Sequence, residues 1–594
     1  MSFVAFFKQI PDLNFIRLDP ATKRIVREGV PNVMNPFDYH AIEGALYLRD
    51  ALGGRAVAVT MGPPSFKQSA EEALAMGVDL VVHLSDKAFA GSDTLATSRA
   101  LARAVKAFAP DYKAIFAGKY SWDGDTGHVG PQTAELLGIP HVSGVVEVRI
   151  KGERASVRRE AEDGEEELEV ELPALFTVTD RAFNPRPPGK PKGRYVVATA
   201  ADIGVDLSEV GAAGSPTVVE DLYEERWERA GGVAVDARND PDIGAEALWR
   251  WLKTVVSSAD RGGAVREAPV RERGPRVVAV VADDKWDGGL RRVSLELLGK
   301  AVELAEAVGG TVVALYGGLE DPRTLIAHGA DEVVWIREAD PFDIYAHGEA
   351  LAEFILKRKP WAVLAPSTTY GRDLMSRVAA RLGLGLTADC VDFSVRGGEL
   401  LQHKPAFGGG VVSIIRSKTY PQMATARPGM FEPLAPNPKR SGEVLEIKAR
   451  PRMRTTSRTP RASEWPDPQE AGVVVGVGRG FKKPENLKPA LDLAKALGAA
   501  VAATRNVVLA GWLPYRLQVG VSGKAIAPLA YLALAIRGDV NHVVGIRRAR
   551  HIAAVNINPR AEIFKIAELG VVGDVNKIVP LLLERAVKEP LFKN

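Results

Sequence analysis

Two stretches of the sequence, GGRAVAVTMG at residues 53–62 and GGTVVALYGG at 309–318, carry the same run of small and β-branched residues between glycines. Each run predicts a buried strand that ends in a tight turn. A second pair, MGVDLVVHL at 76–84 and HGADEVVWI at 328–336, follows at nearly the same spacing. The repeat predicts two similar domains in one chain, arranged about a pseudo-twofold axis.

Around the first of these stretches, strand and helix signals alternate along the chain. Apolar runs predict strands at 4–7, 56–62, 80–86 and 114–118, and amphipathic segments predict helices at 35–52, 65–77, 93–109 and from Pro131 to Gly138. Continuous apolar strands between amphipathic helices are typical of a doubly wound α/β domain with a parallel sheet covered on both faces. In such a domain ligands bind at the carboxyl ends of the strands.

Composition shifts divide the chain into four parts. We expect a nucleotide-binding α/β domain with a C-terminal tail at 1–256, a polar linker at 257–276, a second α/β domain at 277–470 and a third at 471–594. In the third domain, VVVGVG, VAATR, HVVGI and HIAAVNI predict short strands, and the apolar run Ala525–Ile536 predicts a buried helix. That run is too short to span a membrane.

The composition excludes several classes of protein. With 46% hydrophobic and 25% charged residues in 594, the chain is typical of globular proteins of about three to four domains. The single Cys390 excludes an intramolecular disulfide and a thiolate-ligated iron–sulfur cluster, and the nine histidines show no metal-ligand spacing. A net charge of +3 argues against nucleic-acid binding. The start, MSFVAFFKQI, has no signal-peptide pattern, so we expect a cytoplasmic protein.

In the third domain, glycines and hydroxyls follow the predicted strands in a fixed order. The segments are GVGRG at 476–480, Thr504-Arg505, QVGVSGK at 518–524, GDVNH at 538–542 and Val555-Asn556. Alone, GVGRG is weak evidence, because the full GxGxxG fingerprint is incomplete. Together the segments offer the backbone N–H groups and the positive charge that a pyrophosphate needs.

This order resembles the FAD domain of the α subunit of electron-transfer flavoproteins. The resemblance implies that Gly478, Arg479 and Gly480 approach the pyrophosphate and ribityl chain, that Arg505 lies against the flavin ring, that His542 lies near the pyrimidine carbonyl and that Asn556 lies near the adenosine half. Thr504 and Gly538 are further candidate ligands of the cofactor. It also implies that Gln518, Val519, Gly520, Ser522, Gly523 and Lys524 form the loop at the central ring, with Ser522 as the donor to N5. The departures are Val521 for the family's Gln and Arg537-Gly538-Asp539 for Ser-Gly-Ala.

The first half is similar to the β subunit of the same family, through KQIPD (8–12), EEALAMG (71–77) and GKYSWDGDTGHVGPQTAELLGIP (118–140). The resemblance implies an adenine nucleotide here, with these candidate ligands: Asn35, Asp93, Thr94, Thr97, Asp123, Asp125, Thr126, Gly127, Val129 and Gly130. Ordinary helix capping by Asp and Thr is the alternative. Relatives hold either AMP or, in an electron-bifurcating subgroup, a second FAD. The DGDTGHVGP form of the loop favours FAD.

The resemblance implies a flavin-dependent electron carrier made of a β-like half followed by an α-like half. No catalytic side chain and no metal ligand are assigned. NADH would be a substrate if the first domain holds FAD. Expected partners are an acyl-CoA-type dehydrogenase, ferredoxin or a membrane quinone oxidoreductase. Two other classes stay open: an adenine-nucleotide-binding protein of the stress-protein kind, and a stand-alone NADH-oxidising flavoenzyme.

Overall fold

The computed structural model describes residues 1–12, 17–18, 25–26, 30–224, 232–261, 266–406, 411–460, 464–520 and 523–591. In residues 1–261 the strands are β1 Ser2–Phe6, β2 Gln9–Pro11, β3 Arg17–Leu18, β4 Ile25–Val26, β5 Asn32–Met34, β6 Arg55–Met61, β7 Leu80–Leu84, β8 Tyr112–Gly118, β9 His141–Lys151, β10 Arg154–Glu160, β11 Gly164–Glu171, β12 Ala174–Val178, β13 Arg194–Ala198, β14 Thr217–Glu224 and β15 Val233–Asp236. The helices are α1 Pro36–Leu52, α2 Lys67–Met76, α3 Thr94–Phe108, α4 Val129–Leu137, α5 Gly211–Gly214 and α6 Pro241–Arg261.

The second part repeats the alternation. Its strands are β16 Arg276–Ala282, β17 Gly310–Tyr316, β18 Glu332–Arg337, β19 Ala362–Pro366, β20 Leu386–Cys390, β21 Asp392–Arg396, β22 Glu399–Ala406, β23 Val411–Ser417, β24 Gln422–Ala426, β25 Glu443–Lys448 and β26 Thr455–Pro460. Its helices are α7 Arg292–Val308, α8 Arg323–Ala327, α9 Ile344–Arg358 and α10 Thr369–Leu382.

The third part is a smaller α/β unit. Its strands are β27 Val473–Val477, β28 Ala500–Ala503, β29 Ala530–Leu534, β30 His551–Asn556 and β31 Leu569–Val572. Its helices are α11 Lys488–Ala496, α12 Arg505–Leu509, α13 Val540–Ile546 and α14 Val575–Lys588.

The predicted duplication is confirmed by the order of the strands. Seven parallel strands of the first sheet run β13-β7-β6-β1-β8-β12-β9, and the second sheet runs β25-β18-β17-β16-β19-β24-β20, which is the same order of connections. Both faces of each sheet carry a buried apolar cluster, as continuous apolar strands require. The fold class is therefore the predicted one, with two duplicated doubly wound domains and a C-terminal α/β domain.

The first half and the rest of the chain are interlaced. Strand β14 pairs with β23, and β26 extends the first sheet by pairing with β11. Strand β15 joins the edge of the C-terminal sheet beside β31, and Trp249 and Leu252 of α6 lie in the core of that domain. The tail of the first half thus forms part of the third domain. Helix α6 ends at Arg261, so its last turn lies inside the segment 257–276 predicted as a linker.

Two local predictions are wrong. The HVVGI segment lies in α13 and not in a strand, because two neighbouring parallel strands, β29 and β30, need a crossover between them, and α13 is part of it. The run Ala525–Ile536 contains strand β29 and not a buried helix. A strand covered on both faces is as uniformly apolar as a buried helix, so periodicity alone does not separate them.

Candidate functional site

A cleft of about 820 Å³ opens at the carboxyl ends of the strands of the third domain, and we call it the C-terminal cleft. Ten of the predicted FAD ligands line it: Gly478, Arg479, Gly480, Thr504, Arg505, Val519, Gly520, Gly538, His542 and Asn556. The first half completes the wall with Ile10, Val33 and Trp122. Its volume is in the range of cofactor sites.

The local geometry of the C-terminal cleft explains its residue types. A Cβ at position 478 would overlap the carbonyl of Ala535, so Gly478 lets the strand ends approach each other. Gly520 has φ +139, a conformation that other residues rarely adopt. The guanidinium of Arg479 lies 4.1 Å from the Trp512 ring centroid, and that of Arg505 lies 5.8 Å from the Trp122 ring. Both arginines are held by aromatic faces at the rim of the cleft.

The remaining predicted FAD ligands lie elsewhere or outside the described residues. Gln518 is buried, and its carbonyl accepts from the Lys524 backbone N–H at 2.8 Å. Gly523 and Lys524 line a neighbouring cavity, and Lys524 pairs with Asp467. Val521 and Ser522 lie outside the described residues. The atypical Arg537 is exposed at the rim and lies 3.4 Å from the Asp539 carboxylate.

Both ring nitrogens of His542 lie within hydrogen-bonding distance of protein groups. Its Nδ1 lies 3.0 Å from the Val519 carbonyl oxygen, and its Nε2 lies 2.9 Å from the Tyr531 hydroxyl. Burial lowers the pKa of His542 to about 4. The imidazole is therefore neutral near pH 7, and it adds no positive charge to the C-terminal cleft.

The first domain has a cavity of about 380 Å³ at the carboxyl ends of β1, β6 and β8, which we call the first cavity. Eight of the predicted nucleotide ligands line it: Asn35, Asp93, Thr94, Thr97, Thr126, Gly127, Val129 and Gly130. Gly130 is the second residue of α4, so the amino terminus of that helix faces the first cavity. A helix amino terminus beside hydroxyl groups suits a phosphate.

Asn35 and Asp93 use their side-chain polar atoms to build the wall of the first cavity. The Asn35 amide donates to Asp38 at 2.9 Å and to the Tyr120 carbonyl at 3.0 Å. Asp93 accepts from the backbone N–H groups of Leu95 and Ala96 at 3.0 Å and from the Thr217 hydroxyl at 2.7 Å. Asp93 is therefore a helix cap that also ties down the segment after α5.

Asp123 and Asp125 do not line the first cavity. The Lys8 ammonium lies 2.6 Å from Asp123 and, although burial acts the other way, lowers the pKa of that carboxyl. Burial, and then the nearby Asp389 carboxylate, raises the pKa of Asp125. Arg372 donates to the carbonyls of Asp125 and Thr126 at 3.0 Å and pairs with Asp389 at 3.1 Å. These contacts hold the loop against the second domain.

A third cavity of about 230 Å³, the junction cavity, lies where the three domains meet. It shares Lys119, Tyr120 and Gly127 with the first cavity, and Trp122 and Gly520 with the C-terminal cleft. One loop of the first half, residues 119–127, thus lines all three spaces.

Several residues that line the first cavity were not predicted from the sequence motifs, including Asp38, Lys119 and Tyr120. Burial raises the pKa of Asp38 to about 7, against opposing hydrogen bonds from Asn35 and the Lys8 backbone. The sequence signal was present, since these residues belong to NPFD at 35–38 and to GKYSW at 118–122.

Comparison with known protein families finds one match in each of the three domains. The electron transfer flavoprotein domain matches residues 22–203 and 278–451, and the electron transfer flavoprotein FAD-binding domain matches 467–547. Neither alternative class is supported by these matches. In the described part of the chain no helix is long and apolar enough to cross a membrane.

Individual relatives cover parts of the chain. The α subunit of the electron transfer flavoprotein of Clostridium acetobutylicum is 38% identical over 319 residues, which are 50% of this chain and 94% of that protein. The β subunit from Thermoanaerobacterium thermosaccharolyticum is 42% identical over 240 residues, which are 39% of this chain and 92% of that protein. Subunit LctC of the lactate dehydrogenase (NAD(+),ferredoxin) of Acetobacterium woodii is 37% identical over 313 residues, which are 50% of this chain and 74% of that subunit.

The family matches agree with the geometry of the C-terminal cleft and with the duplication of the α/β domain. The C-terminal match is to the FAD-binding domain of the family, and the close backbone approaches, the arginines and the volume of the C-terminal cleft fit FAD. The duplicated domain matches twice, once in each half. The chain therefore belongs to the electron transfer flavoprotein family, with the counterparts of its β and α subunits joined in one polypeptide.

Proposed function

We propose that this electron carrier holds a second FAD in the first cavity, takes a hydride there from NADH, and passes the electrons singly to redox proteins. The observation that carries the proposal is the loop 119–127, which lines both nucleotide spaces and the junction cavity between them. Bound flavin accepts two electrons with a proton as hydride and returns electrons one at a time.

In the C-terminal cleft, the chain's own residues position FAD and balance its charge. Gly478 and Gly480 admit the pyrophosphate to the backbone, and Arg479 supplies positive charge beside it. The Arg505 guanidinium, 5.8 Å from the Trp122 ring, would supply positive charge beside the ring of a bound flavin, which gains negative charge on reduction. Because His542 is neutral, that stabilisation falls mainly to the arginines.

In the first cavity, we assign the phosphate-binding site to Thr94, Thr97, Thr126 and the amino terminus of α4. Two contacts hold the loop 119–127: the Asn35 amide donates to the Tyr120 carbonyl, and the Lys8 ammonium donates to the Asp123 carboxylate. The adjoining junction cavity offers room for the parts of a dinucleotide that extend past the first cavity. We take residues 471–591 together with β15 and α6 as the functional FAD-binding unit.

The relatives' names support the choice of partners. LctC belongs to a lactate dehydrogenase that uses NAD(+) and ferredoxin. We propose that this chain likewise works between a nicotinamide and protein partners of the dehydrogenase, ferredoxin or quinone oxidoreductase classes, with electron bifurcation as the outcome.

A one-flavin carrier with AMP in the first cavity is the second candidate. The size of the first cavity, about 380 Å³, favours it, since a mononucleotide is smaller than FAD. The purified protein distinguishes the two, because its nucleotides can be released by gentle denaturation and separated. Two FAD for each chain support the first proposal. One FAD with one AMP overturns the second FAD and leaves a simple carrier.

A further inference from the structure

A cavity of about 540 Å³ lies between the first domain and the second, and we call it the interface cavity. It is found where β9 begins at His141, so it lies at the opposite edge of the first sheet from the first cavity. Helix α4 and strands β10 and β11 form one wall, and α9, α10 and the segment 452–454 form the other. The volume is in the range of small-molecule sites, and none of the described residues assigned to a nucleotide lines it.

More arginines than glutamates line the interface cavity. The arginines come from β10, α10 and the segment 452–454, and they are Arg154, Arg159, Arg377, Arg381, Arg452 and Arg454. The glutamates are Glu135, Glu169, Glu171 and Glu349. Arg159 is balanced by Glu166 and Asp373, which lie behind the wall. The other guanidiniums still outnumber the carboxylates, so the lining favours an anion.

Two arginines of α10 share one carboxylate in this wall. Arg377 and Arg381 lie one turn apart on the same face of α10, and both pair with Glu135 of α4. The Arg377 guanidinium also lies 4.3 Å from the centroid of the Tyr345 ring, which fixes its orientation. Arg381 donates through Nε to Glu135 at 2.7 Å, and in the described part of the chain its two terminal nitrogens have no hydrogen-bond partner. These N–H groups are therefore available to a ligand.

The rest of the lining is largely apolar. It includes Ile139, Val142, Leu168, Val170, Ile344 and Met453. Guanidiniums beside an apolar surface suit an anion that carries an apolar body. A phosphate suits the pair of arginines better than a carboxylate does, because its three acceptor oxygens can accept from both guanidiniums at once.

We propose that the interface cavity binds a phosphate ester of an apolar or aromatic group, with Arg377 and Arg381 on the phosphate and the body of the ligand against the apolar lining. Because α4 belongs to the first domain and α10 to the second, the ligand contacts both domains. The site is separate from the nucleotide spaces, so it is independent of whether the first cavity holds FAD or AMP.

Calorimetric titration with phenyl phosphate tests the inference, using protein that retains its nucleotides so that the other phosphate sites stay filled. We expect saturable binding to the wild type, weaker binding of inorganic phosphate and no binding of the uncharged benzyl alcohol. Arg381→Gln should weaken the binding of phenyl phosphate about tenfold, because hydrogen bonds from a charged group are lost. Glu135→Gln keeps the shape of the side chain and should tighten binding roughly fivefold, because a negative charge beside the phosphate is removed.

Arg250→Gln is the matched control. Arg250 also donates through Nε to a glutamate, Glu246, at 2.6 Å, but it lies on α6, outside the interface cavity. This variant should bind phenyl phosphate as the wild type does, and the gain expected in Glu135→Gln cannot come from misfolding. The inference is overturned if the wild type does not bind phenyl phosphate, if Arg381→Gln binds it equally well, or if Arg250→Gln loses as much affinity as Arg381→Gln. Inorganic phosphate that binds as tightly as phenyl phosphate would overturn the role of the apolar lining.

Discussion

The two duplicated domains share one strand order but differ at the carboxyl edge of the sheet. In the first domain this edge opens into the first cavity of about 380 Å³. In the second domain, Asp283, Arg291 and Tyr370 surround a space of only about 10 Å³ near the same edge. The fold fixes where a ligand can bind, and the side chains at a few positions decide whether one does.

Matching helices show how the second edge is filled. Asp93 and Asp343 cap α3 and α9 in the same way, through the backbone N–H groups of the first turn. The fourth residue of α3 is Thr97, whereas that of α9 is His347. Tyr370 is the second residue of α10 and bonds His347 Nδ1 at 2.7 Å. Gly130 holds the second position of α4, so the first domain has a threonine and a glycine where the second has two rings.

The second domain also holds the loop 119–127 of the first domain, and removing that contact should have the largest effect on the free energy of unfolding. In Arg372→Gln, Asp389 keeps its charge but loses one partner, and the Asp125 and Thr126 carbonyls lose theirs. Because Asp389 keeps its ion pair with Arg427, the lost hydrogen bonds to a charged group should cost about 1.5 to 3 kcal/mol of unfolding free energy. Denaturant unfolding should show this. Arg323→Gln, at an exposed arginine, should stay within about 0.5 kcal/mol of the wild type. Equal losses of stability in Arg372→Gln and Arg323→Gln would contradict a role for Arg372 in holding the loop 119–127.

The next test makes the carboxyl edge of the first domain resemble that of the second. Thr97→His places an imidazole in the first cavity, as His347 does in the second domain. Overpacking of about 1 to 3 kcal/mol corresponds to a loss of nucleotide affinity of roughly 5- to 140-fold. The amount of nucleotide that each chain carries in the first cavity should fall, whereas the FAD of the C-terminal cleft should be retained. The exposed Thr254→His is the control. Full nucleotide content in Thr97→His would show that the first cavity is not the site.

Gly317 makes the packing at the filled edge testable. A Cβ at this position would overlap the His347 ring, so Gly317→Ala should destabilise the protein by about 1 to 3 kcal/mol. In the His347→Thr background the added methyl has space, so the same change should cost less, and calorimetry of the four proteins gives the coupling. Strictly additive effects would contradict a contact between the two positions.

Two buried titratable groups, His347 in the second domain and Asp38 in the first, should give the unfolding free energy pH dependences of opposite sign. Burial lowers the pKa of His347 to about 4, below its unfolded value, so stability should fall as pH drops from about 6.5 towards 4. Burial raises the pKa of Asp38 to about 7, above its unfolded value, so its contribution is lost as pH rises from about 4 to 7. Each is at most about 1.4 kcal/mol per pH unit. His347→Thr and Asp38→Asn should each abolish one slope in pH-dependent unfolding. Unchanged slopes would contradict the assignment.

Much of this architecture was predictable because periodicity reports burial directly. The repeat around GGRAVAVTMG predicted the duplicated sheets, and most of the candidate ligands chosen from the motifs and the family resemblance line the C-terminal cleft or the first cavity. Which polar atoms face a ligand was not predictable. Asn35 turns to Tyr120 and Asp93 to Thr217, and such contacts between distant segments leave no local pattern. The α13 helix was missed for a similar reason, since its β-branched sequence follows strand propensity and the crossover overrides it.

A crystal structure of the protein purified with its cofactors tests the central claim most directly. We expect one nucleotide in the first cavity beside Thr97 and Gly130, FAD in the C-terminal cleft beside Arg479 and Arg505, and the His347–Tyr370 hydrogen bond intact in the second domain. A nucleotide at the edge lined by His347, or a first cavity left empty in protein that carries two nucleotides, would contradict it.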